Sequence, residues 1–168
     1  MTETNTSSKL LSRPKLLVYG VIVVLLVFFD QWSKGQVIQH LSGGRVVTVL
    51  PRLLQFRYME NTGAAFSVLT GRTLFLSIVT ALILVVAVLL LVFQKVPKTL
   101  DQVAIVLLVA GGAGNLIDRV ARHYVVDFIE VLFTNFAVFN FADCCVTVGA
   151  AILILSTVLA FVKDSGDA

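Results

Sequence analysis

The chain has 168 residues, of which 58% are hydrophobic and 14% charged. Soluble domains average about 45–50% apolar and about 25% charged residues, so this composition predicts an integral membrane protein with a single domain, residues 1–168. The net charge of +3 arises from scattered Lys and Arg residues that form no basic face, which argues against nucleic acid as a partner. The two cysteines are adjacent and the two histidines isolated, so we expect no disulfide framework, metal site or cofactor.

The first apolar run, LLVYGVIVVLLVFF, occupies residues 16–29 and follows Arg13 and Lys15. A signal peptide also has a charged segment before an apolar one, but the DQWSK that follows lacks a small-residue cleavage site. The run therefore predicts an uncleaved transmembrane helix over about residues 15–33. Basic residues beside such a run are typical of anchors at lipid head groups.

Residues 45–59, RVVTVLPRLLQFRYM, are rich in β-branched and aromatic residues and are interrupted at Pro51. Polar and aromatic residues alternate in the second half of this segment. The pattern predicts two short strands in a β region at about residues 40–60, forming a small antiparallel sheet at the membrane surface.

Three further apolar runs follow. Each predicts a membrane-spanning helix, because about 20 apolar residues cross a ~30 Å hydrocarbon core. Their expected ranges are 74–93, 102–118 and 144–162. Four spans place both termini on one side of the membrane, and the loop 118–142 on the same side as the predicted sheet. The Lys and Arg residues are distributed too evenly to decide which side is cytoplasmic.

Most of the polar residues near the predicted helix ends belong to one side of the membrane. Ionisable groups cost roughly 2.5–3.5 kcal/mol each at a helix centre, so they usually face a cavity or one another. Their convergence predicts a functional site. The residues are Asp30, Lys34, Glu60, Asn61, Thr62, Asn115, Asp118, Arg119, Asp127, Asn140 and Asp143.

Helical spacing relates several of these residues. Asp118 and Arg119 lie three and four positions after Asn115, so one helix would present all three on adjoining faces. Asn140 and Asp143 are also three apart, which equally fits a helix cap with Asn140 as N-cap and Asp143 in the first turn. The two interpretations are compatible, because a helix N-terminus also stabilises an anion.

Asp127 lies among apolar neighbours in YVVDFIEV, where desolvation raises the pKa of a carboxylate. Two such carboxylates close together share a proton, so that one takes a proton from water while the other polarises a peptide carbonyl. The alternatives for Asp127 are an exposed loop position or an ion pair with Arg119 or Arg122. For Asp30 and Lys34 the alternative is an i,i+4 pair at the membrane interface. The glycines of GGAGN favour close helix packing over phosphate binding, because no strand precedes them.

Five stretches together resemble the motifs of one family, the bacterial lipoprotein signal peptidases (signal peptidase II). They occur in the family's order: DQWSK (30–34), ENTGAAFS (60–67), GGAGNLIDR (111–119), VVDFI (125–129) and FNFADCCVTVG (139–149). The resemblance implies an all-α integral membrane protein with four transmembrane helices and a small extracytoplasmic antiparallel sheet. It implies a membrane aspartyl endopeptidase that removes the signal peptide of a prolipoprotein, cutting before a cysteine that carries diacylglycerol.

The resemblance also assigns residues. The catalytic pair falls on Asp127 and Asp143, and Cys144 stands where the family commonly has Ser or Ala. Positions that hold the substrate or support the pair fall on Asn61, Asn115, Asp118, Arg119 and Asn140. Asp30 and Lys34 match a further motif, to which no chemical step is assigned.

The expected setting is the bacterial inner membrane, with cytoplasmic termini, an extracytoplasmic active site and a monomeric enzyme whose partners are the diacylglyceryl-prolipoprotein and membrane lipid. Two other functions fit a polar cluster in a membrane protein. One is a small transporter or proton pathway, and the other is an assembly factor that binds a partner protein. The transporter fits less well, because the acidic residues gather at one face and residues 74–93 carry no charge. Cys144 and Cys145 are expected to be protonated packing residues, since no histidine is spaced to activate them.

Overall fold

The computed structural model describes residues 12–63 and 69–166, so residues 64–67 of the ENTGAAFS motif lie outside the described part. Four helices and a three-stranded antiparallel sheet of order β1-β2-β3 form the fold, which confirms the predicted combination of helices and a small sheet. The elements are α1 (Arg13–Leu41), β1 (Val46–Leu50), β2 (Leu54–Asn61), α2 (Thr73–Val92), α3 (Thr99–Arg122), β3 (Val125–Val131) and α4 (Phe141–Gly166).

All four helices are long and apolar enough to cross a membrane. Their outward faces carry large apolar side chains, such as Leu74 at 76% and Phe161 at 73% exposure, which only lipid can cover without cost. Helix α3 is central. Half of the residues in its apolar stretch are buried inside the protein, compared with 6% in α1 and α2. It packs against each of the other three helices and carries Asn115, Asp118 and Arg119.

Helix α1 continues to Leu41, well past its predicted end near residue 33. The additional turns are held by the sheet. Val37 and Leu41 lie on one face of the helix and form a buried cluster with Val126 and Phe128 of β3. The prediction stopped at the polar residues of DQWSK, which read as the end of an apolar run.

The third strand, β3, was not predicted. It lies in the segment expected to be a loop, 118–142, and pairs with β2 in a register that places Asn61 opposite Val125 and Met59 opposite Asp127. His123 ends α3 in the left-handed conformation (φ 66°), which turns the chain directly into the strand. Asp127 is therefore a buried sheet residue, and its interpretation as an exposed loop residue is wrong.

Glycines bring α3 and α4 into close contact, as the sequence predicted. A Cβ atom at Gly111 would lie 2.3 Å from the carbonyl oxygen of Ala142, and one at Gly149 would lie 2.7 Å from that of Ala104. No larger residue fits at these backbone separations. The approach places the first turn of α4, with Asp143, directly beside the polar end of α3.

Candidate active site

Strand β3 presents Asp127 to a cluster of asparagines. Its carboxylate accepts hydrogen bonds on both oxygens, from Asn140 Nδ2 to Oδ1 at 2.7 Å and from Asn61 Nδ2 to Oδ2 at 2.8 Å. The residue is 1% exposed. Because Asn61 ends β2 and Asn140 precedes α4, the Asp127 carboxylate joins three separate elements of the fold.

Asp143 lies in the first turn of α4 and exchanges hydrogen bonds with Asn140. Its Oδ2 accepts from the Asn140 backbone N–H at 3.1 Å, and its own N–H donates to Asn140 Oδ1 at 3.0 Å. This is the reciprocal cap that the spacing suggested. Its other oxygen, Oδ1, accepts from Asn115 Nδ2 at 2.8 Å. Asn140 thus contacts both acidic residues, and the cap is part of the site.

Burial raises the pKa of Asp127 from 3.8 to about 6. The negative charge of Asp143 raises this pKa further, whereas the amides of Asn61 and Asn140 and the charge of Lys34 oppose the shift. Desolvation is the largest cause, as expected for a carboxylate with almost no access to water. Asp127 consequently keeps its proton to a higher pH than an ordinary carboxyl does, next to a second carboxylate.

Both acidic residues line a cavity of about 530 Å³ between β3, α3, α4 and the segment before α4. Its polar residues are gathered around the two carboxylates, and the rest of its wall is largely apolar. Those polar residues are Asn61, Asn115, Arg119, Asp127, Asp143 and Thr147, and the remaining wall comprises Val125, Phe136, Ala137, Val138, Phe139, Cys144, Val146 and Val148.

The two arginines of α3 do not pair with Asp127. Arg122 pairs with Asp118, and Arg119 Nη2 donates to the carbonyl oxygen of Gly63 at 3.1 Å. The proposed ion pair at Asp127 is therefore wrong. The Nε of Arg119 is buried and has no hydrogen-bond partner among residues 12–63 and 69–166. A buried donor without a partner is costly, and this one lies in the cavity wall, where a substrate carbonyl would satisfy it.

Asp30 and Lys34 form the predicted i,i+4 pair, with 2.9 Å between Lys34 Nζ and Asp30 Oδ2, but the pair is buried inside the protein. Lys34 is 0% and Asp30 1% exposed. The ammonium group also contacts Asp118 Oδ2 at 2.9 Å and Asn115 Oδ1 at 3.0 Å. The pair is buried because α1 continues as a helix to Leu41 and packs against α3.

Asp30 and Asp118 connect this buried group to the rest of the fold. Asp30 Oδ1 accepts the backbone N–H of Ala142 at the start of α4, at 3.0 Å. Asp118 Oδ2 accepts the backbone N–H of Val126 in β3, at 3.1 Å. Asp30 therefore holds the residue before Asp143, and Asp118 holds the residue before Asp127. Neither Asp30 nor Asp118 lines the cavity.

The family resemblance assigns nine of the eleven clustered polar residues to the site, and the structure gathers these nine into two connected groups. Asn61, Asn115, Arg119, Asp127 and Asp143 line the cavity, and Asn140 bonds to both acidic residues. Asp30, Lys34 and Asp118 lie behind Asn115.

The sequence prediction missed Gln31, which donates to Asp118 Oδ1 at 3.2 Å and to the Gly114 carbonyl oxygen at 3.1 Å. Its position inside the DQWSK motif, between Asp30 and Lys34, could have indicated that Gln31 belongs to the site. Arg122 also pairs with Asp118, but it does not line the cavity.

The cysteines occupy different positions. Cys144 lines the cavity beside Asp143, and Cys145 is buried on α4. Among the described residues, no group of three or more His, Cys, Asp and Glu side chains is arranged to hold a metal ion.

The fold and the site together define a multi-pass integral membrane protein with an enzyme-like polar cavity. Residues 22–159 match the family model described as signal peptidase (SPase) II. The chain belongs to the signal peptidase II family, a family of bacterial membrane proteases, which confirms the resemblance of its motifs.

Similar proteins agree with this assignment. The chain is 38% identical over 144 residues to a lipoprotein signal peptidase of Enterococcus faecalis, covering 86% of this chain and 89% of that protein. It is 36% identical over 141 residues to one of Streptococcus pyogenes serotype M5, covering 84% and 93% respectively. Among solved structures it is similar to two described as bacterial membrane enzymes determined by the in meso method. Their TM-scores are both 0.77, at 35% and 34% identity, with 89% of this chain covered and 90% and 96% of theirs.

Proposed function

We propose that this protein removes the signal peptide from diacylglyceryl-modified prolipoproteins, cutting before the lipidated cysteine, and that Asp127 and Asp143 are its catalytic dyad. The observation that carries the proposal is the placement of these two acids. They line one cavity, and Asn140 holds both. Membership of the signal peptidase II family and the names of the relatives supply the substrate.

The raised pKa of Asp127 suits it to carry the proton of the dyad, with Asp143 as the anion. The anionic carboxylate takes a proton from a water molecule, whose oxygen attacks the carbonyl carbon of the scissile peptide bond. The protonated acid donates its proton to the carbonyl oxygen, which gives a gem-diol. The carboxyl that now holds the proton gives it to the amide nitrogen, the other carboxylate takes a proton from a gem-diol hydroxyl, and the C–N bond breaks, which leaves one proton on the dyad as before. The products are a signal peptide with a new carboxyl group and a lipoprotein with a new amino terminus.

The asparagines orient the dyad for this reaction. Each carboxylate accepts two hydrogen bonds and has about four lone-pair sites, so that capacity remains for water and substrate. Arg119 holds the substrate backbone: its Nε–H is buried beside the cavity and has no partner in the described part of the chain. A positively charged donor here would also stabilise the oxyanion character that develops at the scissile carbonyl.

The apolar wall of the cavity suits a substrate that is itself a membrane helix with acyl chains. Such a substrate enters laterally from the lipid, while water reaches the dyad at the interface. The active site faces the extracytoplasmic side, both termini are cytoplasmic, and the enzyme acts as a monomer. The polar residues lie at one end of the helices, which supports a peptidase over a transporter. Helix α2 carries no charged residue that would continue a path across the membrane.

The test uses purified protein in detergent and two substrates of identical sequence, one with diacylglycerol on its cysteine and one without. Mass spectrometry of the products identifies the bond that is cut. We expect cleavage of the lipidated substrate immediately before the modified cysteine and little or none of the unlipidated one. An assembly factor or transporter would cleave neither substrate. Cleavage at another bond, or without regard to the lipid, would overturn the assigned specificity.

A further inference from the structure

Among the residues that the structure describes, Lys34 is the fully buried cation that bonds to Asn115 without lining the cavity. An ammonium group has three hydrogen-bond donors and no acceptor. All three have partners: Asp30 Oδ2 at 2.9 Å, Asp118 Oδ2 at 2.9 Å and Asn115 Oδ1 at 3.0 Å. The two carboxylates balance its charge. The third bond has another consequence, because Asn115 is the residue that donates to Asp143.

The amide of Asn115 has two unlike ends, and Lys34 fixes which end faces Asp143. In the structure, Asn115 Oδ1 accepts from Lys34 Nζ and, at 3.2 Å, from Asn140 Nδ2, while Asn115 Nδ2 donates to Asp143 Oδ1 at 2.8 Å. Rotating the amide by half a turn would place its N–H₂ group against the ammonium and its oxygen against the carboxylate. Both contacts would be repulsive, and neither would form a hydrogen bond.

We propose that Lys34 is a positioning residue of the catalytic dyad, which acts through Asn115 by holding the amide in the orientation that donates to Asp143. The inference rests on the proposed function, since it assigns a role in that reaction. The bonds of Lys34 go to Asp30, Asp118 and Asn115 and not to the dyad, and the side chain is completely buried, so it does not bind substrate directly. Its role is to keep Asp143 Oδ1 supplied with a donor, while the lone pairs of this carboxylate that Asn115 and Asn140 leave free can accept from water.

Arg122, at the end of α3, provides a matched control. It neutralises the same acid, Asp118, through the opposite oxygen, but it has no bond to Asn115. Arg122→Met therefore removes a positive charge from Asp118 without touching the amide. Lys34→Met removes a charge and the donor to Asn115 together. If charge balance at Asp118 were the only function of Lys34, the two variants would behave alike.

A second matched pair separates the hydrogen bond from the charge. Methionine and glutamine have side chains of the same length, and neither is charged, but only glutamine carries an N–H₂ donor for Asn115 Oδ1. A residue that serves packing alone would tolerate Lys34→Met better than Lys34→Gln, because a buried polar group without a partner is costly. A residue that positions Asn115 would show the reverse order in turnover.

The experiment measures kcat and KM of the full-length purified proteins on the lipidated substrate, per mole of folded enzyme from size-exclusion chromatography. We expect Lys34→Met to lower kcat about 10- to 100-fold, the range found for outer-shell partners of metal ligands. KM should stay within about twofold, as should the kcat of Arg122→Met, the scatter of substitutions away from a site. Lys34→Gln should have a kcat clearly above that of Lys34→Met.

Several results would overturn the assignment. They are a Lys34→Met enzyme with wild-type kcat, an equal loss in Arg122→Met, a change confined to KM, or a kcat of Lys34→Met at or above that of Lys34→Gln. If Lys34→Met does not fold, Asp30→Asn with Lys34→Met removes one charge of each sign and should show the same loss of kcat. An inactive wild-type protein would instead overturn the proposed function, so the two failures are distinguishable.

Discussion

Asp127→Asn tests the electrostatic description of the site without relying on turnover. Burial holds the pKa of Asp127 at about 6 in the folded protein, above its ordinary 3.8. The folded state therefore binds this proton more tightly than the unfolded state. The contribution of the protonated acid to stability is fully present below pH 3.8 and is lost as the pH rises through about 6.

The magnitude follows from the size of the shift. About 1.4 kcal/mol per pKa unit gives a penalty of about 3 kcal/mol for the ionised carboxylate well above pH 6, most of which is absent at pH 4. Asparagine does not titrate, so the stability of Asp127→Asn relative to wild type should grow by about 2–3 kcal/mol from pH 4 to pH 8. The variant also loses a hydrogen bond from Asn61 or Asn140, which costs about 1–3 kcal/mol at every pH. The change with pH in the stability difference between the two proteins is therefore the quantity that tests the pKa of Asp127.

The assay is thermal unfolding of wild type and Asp127→Asn in the same detergent at several pH values from 4 to 8. For a chain of this length, 2–3 kcal/mol corresponds to about 4–12 °C in Tm. Glu60→Gln, which removes an exposed carboxylate from β2, serves as the control for general effects of charge. A stability of Asp127→Asn relative to wild type that stays constant over this range, or that falls as the pH rises, would refute the description of Asp127 as a desolvated acid.

Three further predictions concern the thiols, the topology and the helix packing. Cys144→Ala with Cys145→Ala should keep most of the peptidase activity, measured with the lipidated substrate, whereas a loss as deep as that of a dyad variant would give the chemistry to a thiol. In that cysteine-free background, a cysteine at Ser42 should react with an impermeant thiol reagent on whole cells; labelling only after permeabilisation would reverse the topology. Gly111→Ala should destabilise the protein by about 1–3 kcal/mol in thermal unfolding because its Cβ would lie 2.3 Å from a backbone oxygen, while Gly20→Ala, with open space around it, should not.

The spans and much of the site were predictable from local sequence. Uncharged runs long enough to cross a bilayer located all four helices, because the hydrocarbon core imposes their length. Helical spacing related Asn140 to Asp143 and Asp30 to Lys34, and both pairs are in contact. The motifs also named five of the residues that line the cavity, Asn61, Asn115, Arg119, Asp127 and Asp143. The spans and the two spacings are features that neighbours within one helix determine.

The remaining features depend on contacts between distant segments. Helix α1 reaches Leu41 because the sheet covers one face of its last turns. The polar residues at the start of these turns had predicted the end of the helix. Strand β3 is rich in β-branched residues, but its pairing with β2 joins segments that are far apart in the chain, and no local pattern specifies that pairing. The bond from Lys34 to Asn115 joins residues 81 positions apart, so spacing predicted the pair with Asp30 but not the contact that links Lys34 to the dyad.

The most direct test of the dyad is turnover by Asp127→Asn and Asp143→Asn, each purified, shown to be folded and given the lipidated prolipoprotein substrate beside wild type. Asparagine keeps the shape of each side chain but cannot exchange the proton that the reaction requires. We predict that wild type cuts before the lipidated cysteine and that both variants leave the substrate intact over the same period. Turnover near the wild-type rate by either variant would contradict the assignment of Asp127 and Asp143 as the catalytic pair.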